Sequence, residues 1–491
     1  MNPDIFRAYD IRGIYDIDFQ LNDFYEIACA YADLFQPKTV ALGHDVRWSS
    51  PLLWQQVAEG LQNSGVDVLD LGQISIDMLY FAAVYYQVDG GITISASHNP
   101  AEYNGMKIVR RHAAPLSTDM GLLDLRDAVG SKILSEKQTA PVRGSLQTVS
   151  FLNAYLAHIR SFVNLHQLSG KRIVVNANSG LAGQVIKHLL TETPIQICEG
   201  LFTEPDGTFS GIPAGRPDPL RPENRELTTK AIKRTGADLA VAWDADADRC
   251  FFFDESGAFV EGCCITALLA EKLLQKKGED VVAFDPRAVW AVENAVIAAN
   301  GTPCLSRCGH SFIKTCMQEI DALFAGEASG HYYFKDNFYA DNGMIPFLLI
   351  LEYLDARRTS LAESVDCLRS AYPVSGEINF SFETHPHRQE AVDMIKAAVN
   401  CFGNRACIET PIDGLSVRFN WRSHSLTSHN SGRGCWRFNL RESNTEPLLR
   451  LNVESIGNED LLIEQTLKIS EKLQGIGGRR ETRFRWENEC P

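Results

Sequence analysis

With 491 residues, 45% of them hydrophobic and 22% charged, the chain is too long for one hydrophobic core and has the composition of an ordinary globular protein rather than a disordered tract. Its formal net charge of −15 excludes a general nucleic-acid or anionic-membrane surface, so any anionic ligand must meet a local basic pocket. The opening Met1-Asn2-Pro3-Asp4-Ile5-Phe6-Arg7 lacks the regions of a signal peptide, and the apolar stretch from Met344 to Leu354 is too short to span a bilayer, which predicts a cytoplasmic protein. The 13 cysteines include no Cys-x-x-Cys pair and predict mostly buried, reduced thiols rather than a metal or disulfide framework.

In chain order, Phe6 to Gly13 brings Arg7, Tyr9 and Arg12 close to a glycine and predicts a surface strand and turn. Phe24 to Phe35 has a helical period, Thr39 to Gly43 reads as a strand, Leu52 to Leu61 as a helix, and Val66 to Gly72 as another strand. Gly90 to Ile94 is a β-branched run that predicts a buried strand. It leads into a Ser/His/Asn/Pro/Gly turn cluster, Ser95-Ala96-Ser97-His98-Asn99-Pro100 followed by Ala101-Glu102-Tyr103-Asn104-Gly105-Met106-Lys107. The strand–helix pattern recurs after Lys171 and after Asp280, predicting three similar α/β units with mostly parallel sheets. From about Thr359 to Pro373 the pattern changes. Glu377 to Phe382 and Leu415 to Asn420 alternate as half-exposed strands and predict a smaller α+β domain. Arg422 to Gly434 reads as a long exposed loop, and Gly475 to Pro491 as a poorly ordered tail. The expected domains are 1–147, 148–252, 253–367 and 368–475, with the tail at 476–491.

Four stretches carry chemistry. In Trp243-Asp244-Ala245-Asp246-Ala247-Asp248-Arg249, aspartates at alternate positions supply hard oxygen ligands for Mg²⁺ or a similar ion. An EF-hand is disfavoured, because Arg249 stands where that loop needs glycine and strands rather than helices flank it. Ser97-His98 invites a hydrolase, yet adjacent residues do not readily make the serine-to-histidine bond and no Gly-x-Ser-x-Gly elbow exists. A serine beside a metal site fits instead a hydroxyl that carries a phosphoryl group, the alternative being a turn serine that caps a helix. Glu327, Ser329 and His331 alternate in a glycine-bounded loop that suits sugar hydroxyls or is simply satisfied within itself. Arg441-Glu442-Ser443-Asn444-Thr445-Glu446-Pro447 can cradle a phosphate, with Glu442 turned away from it.

Together and in this order, these stretches resemble the signature loops of the α-D-phosphohexomutases, the phosphomannomutase/phosphoglucomutase family, over Phe6 to about Leu473. The resemblance implies three mixed-sheet α/β domains and a smaller fourth α+β domain around a central cleft. It implies that Ser97 is the phosphoserine and that Asp244, Asp246 and Asp248 bind Mg²⁺ together with its phosphate oxygen. The Glu327–Ser329–His331 loop then selects the sugar, and Arg441, Ser443, Asn444 and Thr445 hold the phosphate that is not transferred. Tyr9, Arg12, Lys107 and Arg249 surround the reacting group, Arg287 and His310 contact substrate, and Lys107 or His331 moves the proton. The implied reaction is a reversible isomerisation of a small-molecule hexose phosphate, with a hexose 1,6-bisphosphate as intermediate and activator. Asp341-Asn342-Gly343, Ser306 to His310 and Trp436 to Asn439 lie closest to the bacterial phosphomannomutase branch, which interconverts mannose 6-phosphate and mannose 1-phosphate for GDP-mannose; phosphoglucomutase is the alternative, and a non-catalytic phosphosugar-binding relative a distant one. No nucleic-acid or membrane partner is expected, and the state is monomer or dimer. Ala245 and Ala247 replace the usual glycines between the aspartates, and Glu442 is an added negative charge.

Overall fold

The computed structural model describes residues 1–130, 140–403, 405–420, 434–443, 446–482 and 484. By compactness the chain forms two units, Met1–Val260 with Ser329–Leu361, and Glu261–Ala328 with Ala362–Pro491. None of the described helices is long and apolar enough to cross a membrane.

In the first unit, the β-branched runs Thr39–His44 and Gly90–Ile94 pair in parallel at the centre of a six-stranded sheet. Asp67–Gln73 pairs in parallel with the other edge of Thr39–His44, and Leu146–Thr148 extends it. Gly90–Ile94 is buried at every position, as a central strand's unbroken apolar pattern requires. It turns back into the antiparallel strand Tyr103–Arg110, which pairs in turn with Ile11–Ile14. The N-terminal segment expected at the surface is therefore a sheet strand, with Ile11 fully buried. Its partner lies about ninety residues downstream, and no local pattern reports that. Helices Leu21–Phe35 and Ser50–Asn63 seal the core with Phe24, Ile27, Leu53 and Val57 against Val40, Leu42 and Ile92. They approach so closely that a Cβ on Gly60 would stand 2.7 Å from the Tyr25 carbonyl oxygen.

A second sheet of the same unit repeats this plan. Arg172–Asn176 pairs in parallel with Gln196–Leu201 and Leu239–Trp243, and Leu239–Trp243 turns back into antiparallel Cys250–Phe253. Helix Pro222–Thr235 buries Ala231 and Ile232 on Val174 and Ala240. The aspartates thus sit in a β-hairpin, which disposes of the EF-hand.

In the second unit, Val281–Phe284 pairs in parallel with Thr302–Leu305 and Phe324–Gly326, below helices Gly262–Lys277, Trp290–Ala298 and His310–Glu319. The C-terminal sheet is antiparallel in the order Ala406–Ile408, Leu415–Phe419, Trp436–Glu442, Leu448–Ser455, Ile378–Ser381, Arg479–Arg480. Helices His385–Ala397 and Glu459–Gly475 bury Ile395, Leu462, Ile469 and Leu473 in the same core as its strands.

Two expectations need correction. Arg479–Arg480 is a strand on this sheet and Phe484 is buried beneath the Arg480 guanidinium, so this part of the tail is ordered; 483 and 485–491 lie outside the described residues, as does the loop predicted at Arg422 except for Gly434. Twelve cysteines among the described residues are free thiols, but only five are buried, because several lie on the outer faces of helices and edge strands.

Candidate active site

The serine loop leaves the carboxyl end of Gly90–Ile94. Ser97 stands at φ +50°, a left-handed conformation that costs a non-glycine residue of order 1 kcal/mol. The Ser97 amide donates to Ser95 Oγ at 3.0 Å, and the Asn99 amide to the Ala96 carbonyl at 3.1 Å. So held, the buried Ser97 Oγ lies 2.8 Å from Asp246 Oδ1 and 3.4 Å from Asp244 Oδ2.

Asp244, Asp246 and Asp248 are themselves buried, with ligand atoms within 4.8 Å of one another. Carboxylates this crowded repel unless cations compensate them. Lys107 Nζ lies 2.6 Å from Asp246 Oδ2 and 3.2 Å from Asp248 Oδ2, and Arg249 Nε 3.4 Å from Asp244 Oδ2. Burial, reinforced by Asp248 and Asp246, pushes the Asp244 carboxyl well above its ordinary range. Burial also acts on Asp248, but Lys107 and His331 outweigh it and hold that carboxyl well below. Burial would discharge Lys107, yet Asp246 and Asp248 hold its ammonium above the ordinary lysine value, so it is a cation. Asp248 Oδ1 is buried with no partner at hydrogen-bond distance, His331 Nε2 standing 3.6 Å away. Three buried carboxyl groups whose oxygens converge fit a hard divalent cation.

His98, set aside in the sequence because it adjoins Ser97, belongs here. Its Nδ1 lies 3.2 Å from Ser97 Oγ, so adjacency does not forbid the contact as expected. The same nitrogen is 2.9 Å from Arg249 Nη2. A guanidinium only donates, so Nδ1 is an unprotonated acceptor already engaged. Burial, then Arg249 and Arg12, push this imidazole well below its ordinary value. With the shorter Ser97 contact going to Asp246, a serine-hydrolase arrangement remains absent for this reason. His331 meets Arg249 Nε at 3.4 Å, Asp248 Oδ1 at 3.6 Å and Asp341 Oδ2 at 3.9 Å through Nε2, while Nδ1 faces Ser329 Oγ at 3.1 Å. Arg12, paired with Asp10, donates to Asn99 Oδ1 at 2.7 Å and so joins the serine loop; Tyr9 is half-buried just before it.

The second unit holds the other predicted residues. Gly309, at φ +122° where only glycine is at ease, begins helix His310–Glu319, and its amide donates to Glu327 Oε1 at 2.9 Å. His310 is the first residue of that helix. Arg287 Nη2 donates to Asp285 at 2.7 Å and to Glu327 at 3.3 Å. Arg441 donates to Glu377 Oε2 at 3.0 Å, and Arg450 to Glu377 Oε1 at 2.8 Å. Burial would raise the Glu377 carboxyl, but Arg450, Arg441 and Arg287 hold it low. Glu442 does turn away, to His385 at 3.2 Å and Arg388 at 3.4 Å. The Ser443 amide bonds the Leu448 carbonyl, closing the turn; Asn444 and Thr445 lie outside the described residues.

Family models confirm what the motifs suggested. The model described as phosphoglucomutase/phosphomannomutase alpha/beta/alpha domain I matches residues 3–127, that of domain II residues 153–257, and that of domain III residues 261–372. The chain is 42% identical over 466 residues to the phosphomannomutase of Salmonella typhimurium, covering 94% of this chain and 97% of that protein. It is 41% identical over 474 residues to a Xanthomonas campestris protein named phosphohexose mutases, covering 96% and 99%. Its fold superimposes with a TM-score of 0.82 on the crystal structure of a phosphoglucomutase/phosphomannomutase family protein from Burkholderia thailandensis, 26% identical over 98% of this chain and all of that one.

Proposed function

Because the chain belongs to the phosphoglucomutase/phosphomannomutase family, we infer that it is a phosphomannomutase, interconverting mannose 6-phosphate and mannose 1-phosphate. The observation that carries the chemistry is Ser97 Oγ, 2.8 Å from Asp246 within a buried triad of aspartates flanked by Lys107 and Arg249. Ser97 carries the phosphoryl group and gives it to a sugar hydroxyl; the hexose 1,6-bisphosphate reorients, and Ser97 takes back the other phosphoryl group. Asp244, Asp246 and Asp248 would hold Mg²⁺ with an oxygen of that group, and the bound ion would neutralise charge on the transferred oxygens.

Lys107, Arg249 and Arg12 supply fixed positive charge beside Ser97, which costs no reorganisation during transfer. Lys107, or His331 in the complementary orientation, moves the proton at the sugar hydroxyl. Glu327, Ser329, Arg287 and His310 meet the sugar, and Arg441 and Ser443, with Asn444 and Thr445, hold the phosphate at rest. Glucose phosphates are further substrates, since epimers at one carbon are hard to separate through the remaining hydroxyls. A division into domains 1–147, 148–252, 253–367 and 368–475 belongs to the same proposal.

Intact mass and peptide mapping test the carrier role. They are expected to find one phosphoryl group on Ser97, and mutase turnover persisting undiminished in Ser97→Ala would disprove the mechanism. The ratio of kcat/KM for mannose 1-phosphate to that for glucose 1-phosphate, measured with trace hexose 1,6-bisphosphate, decides how narrow the enzyme is.

A further inference from the structure

The first parallel strands of the three α/β sheets share a device at their carboxyl ends. Asp45 Oδ1 accepts the Arg47 amide at 3.0 Å after Thr39–His44, Asn176 Oδ1 the Asn178 amide at 3.0 Å at the end of Arg172–Asn176, and Asp285 Oδ1 the Arg287 amide at 2.9 Å after Val281–Phe284. Each is a local turn closed by the side chain. Each fixes the third residue, and that residue reaches the end of the parallel strand that flanks it on one side. Arg47 donates to the serine loop after Gly90–Ile94, Asn178 Nδ2 to the Trp243 carbonyl just before Asp244 at 2.7 Å, and Arg287 to Glu327 after Phe324–Gly326 at 3.3 Å. Only Arg287 was expected at the site.

Arg47 uses all that a guanidinium has. Nη2 donates to the Ser97 and Asn99 carbonyls, each at 2.7 Å, Nη1 to those of Pro100 and Tyr103, and Nε to Asp45 Oδ2 at 3.1 Å. Five donors meet five acceptors. The group is 1% exposed, and Phe209 covers it with its ring centroid 4.9 Å away. Three of the bonds end on the loop that contains the left-handed Ser97 and a fourth on Tyr103, the first residue of the strand that follows it, so loss of the fork frees the backbone to relax and swing Oγ from the aspartates.

We propose that Arg47 and Asn178 are positioning residues, each seating the reactive loop of its own sheet: Arg47 the serine loop, Asn178 the aspartate loop. The kinetic consequences rest on the mutase function inferred above; the structural ones do not. Amide hydrogen exchange on full-length Arg47→Lys and Asn178→Gly proteins, without substrate, reads the seating directly. Glycine keeps the φ of +45° at 178 and deletes only the donor.

Arg47→Lys is expected to lose protection by about tenfold over 95–104 with 239–249 unchanged, and Asn178→Gly to do the reverse. In Arg47→Lys, kcat should fall by about 100-fold with KM within about threefold, as a small misplacement of a reacting group produces. Arg47→Ala should regain part of its kcat in millimolar guanidinium. Titration of Asn178→Gly with Mg²⁺ alone should show affinity about tenfold below wild type. Protection lost evenly over both sheets, or unchanged in the seated loop, overturns the proposal; if Arg47→Lys does not fold, Asn178→Gly decides by the same criterion. Absence of phosphoserine and turnover in the wild type would refute the mutase function alone, since the exchange pattern needs neither.

Discussion

At the scale of single residues, Ser97 shows a function opposed to stability. Its left-handed backbone is a position glycine would occupy without strain, yet the chemistry needs the hydroxyl. Ser97→Gly should therefore unfold at higher denaturant than Ser97→Ala, by about 1 kcal/mol, with both devoid of phosphoserine. Equal or inverted stabilities would show that the conformation is unstrained. The serine and the aspartates were legible in the sequence because their spacing is chemical and local. His98 and Arg47 were not. One was dismissed because adjacent side chains seldom converge on each other, and they do here because φ is positive. The other is a buried arginine whose partners are main-chain carbonyls some fifty residues on, which leave no mark on composition.

At the scale of elements, helix Ile76–Tyr85 connects the sheets of its unit. Its first amide donates to the Asp246 carbonyl at 3.2 Å. Asp77, in its first turn, accepts bonds from Ser75 and Tyr155, from the Met78 amide at 2.9 Å and from Asn342 Nδ2 at 2.8 Å. Burial nonetheless outweighs these donors and pushes its carboxyl up to about 7 from an ordinary 3.8, with the Asp248 charge adding to the rise. The sign follows from proton counts. Below 3.8 folded and unfolded chains are both protonated; from there to about 7 the folded chain binds the extra proton, so stability falls as pH rises and levels off above 7. Between pH 5 and pH 8 this group should remove about 3 kcal/mol. Urea unfolding of wild type and Asp77→Asn at both pH values checks it, since the asparagine variant should lack that part of the slope. Alternation of strands and helices, and even the change to an antiparallel sheet after Pro373, could be read from periodicity. The burial of the strand at Ile11–Ile14 and the strand Arg479–Arg480 could not, because only long-range pairing places them in their sheets.

At the scale of the whole molecule, the two compact units have separate cores, and all three aspartates lie in one of them. Calorimetry should resolve more than one transition, with a calorimetric enthalpy above the van't Hoff value. Mg²⁺ at about 100 times its Kd should stabilise only the unit Met1–Val260 with Ser329–Leu361, by about 2.7 kcal/mol. A shift of both transitions by equal amounts would place the ion's effect elsewhere.

The seats at the strand ends also bear on how such a protein can be altered. Arg47 and Asn178 grip carbonyl oxygens, which every amino acid carries, and not the side chains of the loops they hold. The tools can therefore be exchanged without rebuilding their mounts. Within 98–101, where the side chains are half-buried, substitution changes what is presented while the backbone stays anchored, whereas Ala245 and Ala247 are fully buried, Ala247 at φ +57°, and leave no room for larger side chains. Divergence in substrate, and any attempt to engineer it, has free play in the serine loop so long as the turn behind it is left intact.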